Sequence, residues 1–309
     1  MRPLAFANPG QFYKGNLHTH CTNSDGRLPV EEVCRRYKAQ GYDFIAMTDH
    51  FVGLYDYPIT DTRQFRDADF TTLIGVELHS GKQENGAIWH LVAVGLPFDF
   101  APSNSPDFWP TDSQETGAEL AARAVQAGAF VAIAHPEWSN LTQGDMCSID
   151  AAHAVEVYNH GCEVECDRGR GLHSADYLST SKKQVNFIAT DDAHFAQGNL
   201  DAFGGWTMVK ATENSPEALL SALKAGAMYA TTGPDFIDIE MDDKYVYVRT
   251  SPVSAIILMG EGTRTVAELG EGLTEAKIPH GALDYSPWIR VSLIDADGKK
   301  AWANPIWKG

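Results

Sequence analysis

The histidines of this chain stand beside carboxylates in short, regularly spaced groups. His18 and His20 lie two residues apart, so on an extended strand both imidazoles point to one face and can chelate a single ion. Asp192 and His194 have the same spacing. Imidazole and carboxylate together suit Zn, Mn or Fe ions. The pattern predicts a metal site, although a lone histidine of this kind would more often be structural.

Residues of the same type recur along the chain, and most of them follow an apolar run of strand length. In an α/β barrel the functional side chains come from the carboxyl ends of the strands, so these repeated groups favour one shared metal centre. Six groups placed in this way are much harder to dismiss than one. The candidate ligands are His18, His20, Asp25, His50, Glu77, His90, His135, Asp192 and His194.

The elements that must position these residues follow two alternating patterns. Apolar runs predict strands at 12–17, 44–48, 72–76, 91–94, 130–134, 154–158 and 186–190. Helical patterns are present at 29–40, 115–127, 174–183 and 215–224. Strands that are apolar on both faces and alternate with helices indicate a parallel sheet covered by helices. Five or more such units favour a closed barrel, with the proline-rich segment 97–113 as a long loop near its mouth.

The pattern changes after Gly233. Alternating segments at 237–241 and 245–248, and a predicted hairpin at 289–294 and 299–303, indicate a small all-β region. Trp288, Trp302 and Trp307 are expected in its core or at its interface. We therefore predict an α/β chain with a barrel domain at 1–232 and a small β-sandwich-like domain at 233–309. His280 stands alone in the second domain, which is expected to contribute no metal ligand.

The charge balance narrows the classes of partner. Lys plus Arg is 24 and Asp plus Glu is 41, giving a net charge of −17. This surface repels the phosphates of a nucleic-acid polymer, but bound metal ions can still attract a small anionic substrate. No segment resembles a signal peptide or a run of about 18 apolar residues, so we expect a cytoplasmic protein without a membrane partner. Five irregularly spaced cysteines predict free, mostly buried thiols. The oligomeric state stays open.

The motifs HTH, SDG, TDH, GVE, AHP and TDDAH, in this order, resemble the polymerase-and-histidinol-phosphatase (PHP) superfamily over about residues 12–232. The resemblance implies a distorted (β/α)7 TIM-like barrel that binds two to three divalent ions, either Mn, Zn or Fe, and hydrolyses phosphoesters. The runs FIATDDAHF, DAFGGW and WANPIW further resemble a carbaryl-hydrolase-like branch, which carries a small β domain after the barrel.

This resemblance implies three metal positions. The first would be held by His18, His20, Glu77 and Asp192. The second would share Glu77 as a bridge and add His90 and His135. The third would be held by Asp25, His50 and His194. His79 lies on the same strand face as Glu77 and competes with His90, while Asp49 and Asp191 are expected to support the ligands from behind.

The same centre predicts hydrolysis by a metal-bound hydroxide, with the cations neutralising charge in the transition state. Glu77 is assigned a catalytic role as the bridge. Asp25 or His194 could assist the leaving group, and His160 or His173 is a free candidate acid. Arg168 and Arg170, in a glycine-flanked loop, are predicted with His173 to bind the anionic substrate.

Three functions follow from these residues. The leading prediction is a phosphoesterase for a small phosphorylated metabolite, either a phosphomonoester or a cyclic phosphodiester. The alternative is a hydrolase of carbamates, amides or carboxylic esters, since the same hydroxide can attack a carbonyl. Trp89, Trp109 and Trp138 could then form a wall for an aromatic leaving group. The third possibility is that the protein is not an enzyme but a degenerate metal-binding or partner-binding module. The intact set of candidate ligands argues against this possibility.

Overall fold

The computed structural model describes residues 1–112 and 114–308, in which seven α-helices and sixteen β-strands are formed. The helices are α1 (Leu4–Ala7), α2 (Val30–Ala39), α3 (Gly117–Gln126), α4 (Gln143–Ser148), α5 (His160–Cys166), α6 (Leu172–Thr180) and α7 (Pro216–Ala225). The first ten strands are β1 (Gln11–Asn16), β2 (Phe44–Met47), β3 (His50–Phe51), β4 (Thr71–Lys82), β5 (Ile88–Val94), β6 (Phe130–Ile133), β7 (Ala154–Asn159), β8 (Asn186–Thr190), β9 (Trp206–Ala211) and β10 (Met228–Thr231). The others are β11 (Phe236–Met241), β12 (Tyr245–Met259), β13 (Thr265–Pro279), β14 (Trp288–Ile294), β15 (Lys300–Ala303) and β16 (Ile306–Trp307).

Helices begin and end where the sequence provides stop and start residues. Thr116 and Glu119 cap the start of α3 reciprocally, each side chain bonding to the backbone of the other. The side chain of Ser215 caps α7, and Gly226 ends that helix in a left-handed conformation, with φ at 75°. The four helices predicted from periodicity are confirmed within a few residues. The short helices α1, α4 and α5 were not anticipated.

The sheet is mixed, and here the predicted all-parallel arrangement is wrong. Strands β1, β2 and β4 are mutually parallel, as are β6, β7 and β8. Between the two groups β5 runs antiparallel to both β4 and β6. The reason is a tight turn at Gly86, which returns the twelve-residue strand β4 directly into β5 without a crossover helix. The α/β class itself is confirmed.

The two groups of parallel strands approach each other beyond the ends of β1 and β8. A parallel bridge joins Thr19 to Ala193, and the amide of Asp192 donates to the carbonyl of His18 over 2.8 Å. These bonds draw the two strand ends together at the site of the predicted ligands. Complete closure as a (β/α)7 barrel stays a prediction.

The C-terminal strands continue the main sheet through backbone hydrogen bonds. β10 pairs with both β9 and β15, and the order continues through β14 and β12 to β11. Trp288 and Trp302 are buried, as predicted for core aromatics, while Trp307 is half-buried. The long exposed strand β13 was not anticipated. The division into two domains stays a prediction, and its last residue, Gly309, lies outside the described residues.

The predicted loop 97–113 contains no helix or strand over its described part, and its last residue, Ser113, lies outside the described residues. The five cysteines are free, as predicted, and three of them are buried. Among the described residues, none of the helices combines the length and apolar character needed to cross a membrane.

Candidate metal centre

The predicted ligands converge on Glu77, a fully buried carboxylate within β4. Its Oε1 lies 2.8 Å from His90 Nδ1 and 3.2 Å from His135 Nε2. Its Oε2 lies 2.5 Å from His50 Nδ1 and 3.6 Å from His18 Nε2. The two oxygens therefore face different sets of imidazoles.

A second carboxylate, Asp192, lies two residues after β8 and contacts the two histidines that follow β1. Its Oδ1 lies 3.1 Å from His18 Nε2 and 3.0 Å from His20 Nε2. Asp192 has a left-handed backbone, with φ at 55°, and so does His135, with φ at 23°. Such strained backbone at non-glycine residues is concentrated at functional sites, where the surrounding structure holds a side chain in a required direction.

A third group lies toward the solvent. Asp25 Oδ1 is 3.4 Å from both His50 Nε2 and His194 Nε2, and His20 lies close enough to complete a set of four ligand-type atoms. Asp25 and His194 are the most exposed of the nine candidates, so the centre opens to solvent on their side. The nine candidate ligands are thus brought into one connected cluster.

His79 belongs to this cluster together with His90, so the sequence alternative between them does not arise in the structure. The two residues are paired across β4 and β5. His79 Nε2 lies 2.9 Å from His50 Nδ1 and 3.6 Å from Glu77 Oε2. A tenth ligand-type side chain therefore faces the same space as Glu77.

Several buried nitrogen and oxygen atoms in the cluster are suited to bind metal ions, because they form no hydrogen bonds with one another. His18 Nε2, Asp25 Oδ1 and Glu77 Oε2 are buried but have no hydrogen-bond partner among the described residues, despite the short distances between nitrogen and oxygen. Leaving such atoms unpaired costs free energy unless an ion is bound. The mixed imidazole and carboxylate donor set suits Zn, Mn or Fe, as the sequence predicted.

The electrostatics of the cluster favour ionised carboxylates. Burial alone would raise the pKa of Glu77, but the imidazoles of His50, His90 and His79 hold that pKa well below its usual range. For His50 the two effects have the opposite sign: burial alone would lower the pKa of this imidazole, but the carboxylates of Glu77 and Asp25 raise that pKa to about 10. Anionic oxygens therefore remain at neutral pH to receive cations.

A fully buried carboxylate that the sequence analysis missed supports the cluster from behind. Glu156, in the middle of β7, accepts from His18 Nδ1 at 2.8 Å and from the amide of His135 at 2.7 Å. It also accepts from the Thr190 hydroxyl at 2.6 Å and from Asn159 Nδ2 at 2.9 Å. A charged residue between Val155 and Val157 in an apolar strand was the signal that could have revealed it.

The two aspartates expected to support the ligands have other contacts in the structure. Asp49 accepts from the backbone amide of Cys21 and from the hydroxyls of Ser24 and Thr60, which fixes the loop that carries Asp25. Asp191 accepts from the Tyr37 hydroxyl and from the backbone amides of residues 203–205. Both therefore act on the loops around the centre, and no described hydrogen bond joins either side chain to a histidine.

The cluster lies at the base of a cavity of about 600 Å³. The lining includes the guanidinium residue Arg27, which follows Asp25 on the same loop and forms no ion pair with a described residue. Phe108, Trp109 and Trp138 also line it. Trp89, the third tryptophan predicted to form a wall, is instead buried, and its ring lies against Gly117 at the start of α3.

The predicted substrate-binding residues lie elsewhere. Arg168 and His173 are exposed and are absent from the lining of this cavity, as is Arg170. Arg170 pairs with Glu163 and faces a separate cavity beside the C-terminal strands. The correction has a topological reason: the loop after β7 first forms α5, which turns these residues away from the centre. His160, a candidate acid, faces that second cavity too, where its Nδ1 lies 3.0 Å from the Tyr158 hydroxyl.

Comparison with known proteins finds a family likeness for part of the chain. Residues 16–141 match the PHP domain. The matched segment contains seven of the nine candidate ligands and ends before Asp192 and His194. No curated protein matches the chain. Together with the cluster described above, the match to the PHP domain indicates a metal-dependent hydrolase.

Solved structures extend the comparison to nearly the whole fold. A two-domain protein from Bacteroides vulgatus, containing a predicted PHP-like metal-dependent phosphoesterase, aligns over 97% of this chain and 98% of its own, with a TM-score of 0.52 and 15% identity. At this identity the likeness shows a shared fold alone. An amidohydrolase from Chromobacterium violaceum, with bound sulfate and no metal, aligns over 58% of this chain and 87% of its own, with a TM-score of 0.41 and 16% identity. A protein from Bifidobacterium adolescentis described as a metal-dependent phosphoesterase aligns over 60% and 88%, with a TM-score of 0.43 and 13% identity. The last two alignments are too loose to carry an argument.

Proposed function

We propose that this protein is a metal-dependent phosphoesterase that acts on a small phosphorylated metabolite. The observation that carries the proposal is Arg27, an unpaired guanidinium that lines the same cavity as the predicted ligands. In a protein with a net charge of −17, a cation left without a partner beside a metal centre suits an anionic substrate. Guanidinium binds phosphate oxygens with strong, directional hydrogen bonds, whereas a neutral ester gains little from it.

The cluster would hold two to three divalent ions, with Glu77 as the shared carboxylate and with Asp192 and Asp25 anchoring the two sides. Bound there, the ions would supply an activated water and neutralise charge on the phosphoryl oxygens. Arg27 would bind a phosphoryl oxygen and orient the phosphate toward the cluster. Glu165 also lines the cavity, where burial and the nearby Asp201 carboxylate raise the pKa of its carboxyl, and its place there makes it a candidate to meet the leaving oxygen.

The test compares Arg27→Met with Arg168→Met in protein reconstituted with Mn, Zn or Fe. Hydrolysis of phosphomonoesters, cyclic phosphodiesters and aryl carbamates is measured, together with metal content. Arg27→Met should lower kcat/KM for the phosphoester by about 10- to 100-fold, the effect of one charged hydrogen bond. Arg168→Met, an exposed residue outside the cavity, should leave it unchanged.

The outcomes separate the two candidate hydrolase classes. Turnover of carbamates alone, unaffected by Arg27→Met, would refute the phosphoesterase and favour the narrower carbaryl-hydrolase-like branch. Metal content below one ion per chain after reconstitution would contradict the multinuclear centre itself.

A further inference from the structure

Aromatic rings flank the predicted metal ligands on two sides of the cavity. The ring of Phe108 lies 4.9 Å from that of His50 and 5.3 Å from that of His79, nearly perpendicular to both. The ring of Trp138 lies 4.8 Å from that of His135 and 5.4 Å from that of His90. The two aromatic residues therefore contact different histidines of one cluster and bound the space above it.

The segment that carries one of these walls is fixed to the metal-bearing strand. The hydroxyls of Ser103 and Ser105 both donate to the backbone carbonyl of His79, over 2.7 Å and 2.5 Å. Phe108 and Trp109 follow Ser105 by three and four residues, and both line the cavity. Trp109 is 76% exposed, so its ring is accessible to a ligand bound in the cavity.

Beyond the candidate ligands, the lining of the cavity adds apolar surface from Ala87 and Ile88 to that of the aromatic rings. Two of its polar atoms are engaged: Gln83 Nε2 donates to the carbonyl of Ile88, and Ser139 Oγ lies 2.9 Å from His135 Nδ1. Gln83 Oε1 has no partner among the described residues, and Arg27 and Glu165 also line the cavity. The apolar and aromatic surface favours a flat apolar ring as the organic part of the ligand.

We propose that the substrate of this centre is a phosphomonoester of a flat aromatic alcohol, whose ring lies between Phe108 and Trp138 and is covered by Trp109. The inference rests on the proposed phosphoesterase function and narrows it. Water oxygen forms a bond to phosphorus while the bond between phosphorus and the aryl oxygen breaks. The products are inorganic phosphate and the aromatic alcohol, whose oxygen takes up a proton.

The test is direct binding of phenylphosphonate and cyclohexylphosphonate to the metal-loaded protein, measured by calorimetry. The two probes share the anionic group and nearly the same size, but only one has a flat π-system. Each favourable aromatic contact contributes about 0.5–1.5 kcal/mol, so phenylphosphonate should bind about 10-fold more tightly. Trp138→Leu should reduce this preference to about 3-fold or less while the affinity for cyclohexylphosphonate stays nearly constant.

Two further variants complete the design. Trp109→Ala, at a largely exposed position, should also weaken the binding of phenylphosphonate selectively. Trp307→Leu, remote from the cavity, should change neither affinity. Equal binding of both probes by the unaltered protein would overturn the aromatic substrate even if phosphomonoesters are hydrolysed. Absence of phosphomonoester hydrolysis, with the aromatic preference present, would instead refute the phosphoesterase.

Discussion

Glu156→Gln tests how the protein keeps His18 ready to bind an ion. Burial would raise the pKa of Glu156, but His18 and His135 hold that pKa below its usual value, so the side chain is a carboxylate that accepts four hydrogen bonds. The donors at Oε2, the amide of His135 and the side-chain amide of Asn159, cannot act as acceptors. Glutamine must therefore turn its carbonyl toward them and its NH2 group toward His18 and Thr190.

This orientation changes the tautomer of His18. With an NH2 group facing Nδ1, that nitrogen must accept, and the ring proton moves to Nε2, the atom that lies 3.1 Å from Asp192 Oδ1 and 3.6 Å from Glu77 Oε2. A protonated Nε2 cannot bind an ion. Loss of such an orienting partner typically lowers metal affinity by about 10- to 100-fold, or about 1.4–2.7 kcal/mol. The fold should be retained because the amide preserves the volume and the bonds at Oε2.

The assay is calorimetric titration of metal-free protein with Zn or Mn, combined with ¹⁵N NMR of the imidazoles to determine the tautomer. Thr190→Val is the matched control, because it removes a donor to the same carboxylate oxygen but leaves the His18 contact in place. It should cost about 1 kcal/mol of stability with little change in metal affinity. Equal losses of affinity in both variants would show that packing, rather than the tautomer, is responsible. Unchanged affinity in Glu156→Gln would refute the reasoning altogether.

Two other predictions follow from single contacts. Glu77→Gln should lose at least one ion and lower kcat by about 10² or more. His280→Ala, whose ring contacts only Asp242 and Asp284 in the described hydrogen bonds, should keep its metal content and its kcat. Normal metal content in Glu77→Gln would exclude a shared carboxylate. Arg290→Met should lower the free energy of unfolding by about 3 kcal/mol in urea titrations, because Asp176 of α6 loses its two hydrogen bonds of 2.6 Å and 2.8 Å from Arg290 of β14. The metal content should not change. A loss of stability below about 0.5 kcal/mol would mean that this ion pair contributes little.

Much of the molecule could be predicted from the sequence because the relevant signals are local. Cap residues such as Thr116 and Ser215, and glycines just past helix ends, locate the helices within a few residues. Apolar runs followed by histidine or carboxylate located the ends of β1, β2, β6 and β8, and all nine candidate ligands lie in one cluster. The expected strand end at Glu77 is wrong, because β4 continues to Lys82 before it turns into β5. Spacing of two residues on an extended chain is enough to place His18 and His20 on the same side.

The remaining features depend on contacts between distant segments. The antiparallel course of β5 is decided by a turn at Gly86 and by pairing with β6, neither of which hydrophobic periodicity can reveal. Arg27 lines the cavity of the cluster, whereas Arg168 and Arg170 do not, because α5 leaves β7 in a direction that turns the following loop away.

Glu156 shows most clearly the difference between what the sequence predicts and what the tertiary structure decides. In the sequence it is one charge within an apolar strand, and its meaning appears only when β7 lies beside the residues that follow β1, β6 and β8. Residue types and short spacings determine which chemistry the chain can perform. Tertiary structure decides which side chains share a cavity, because those distances are set by the packing of elements more than a hundred residues apart, as with His18 and Glu156.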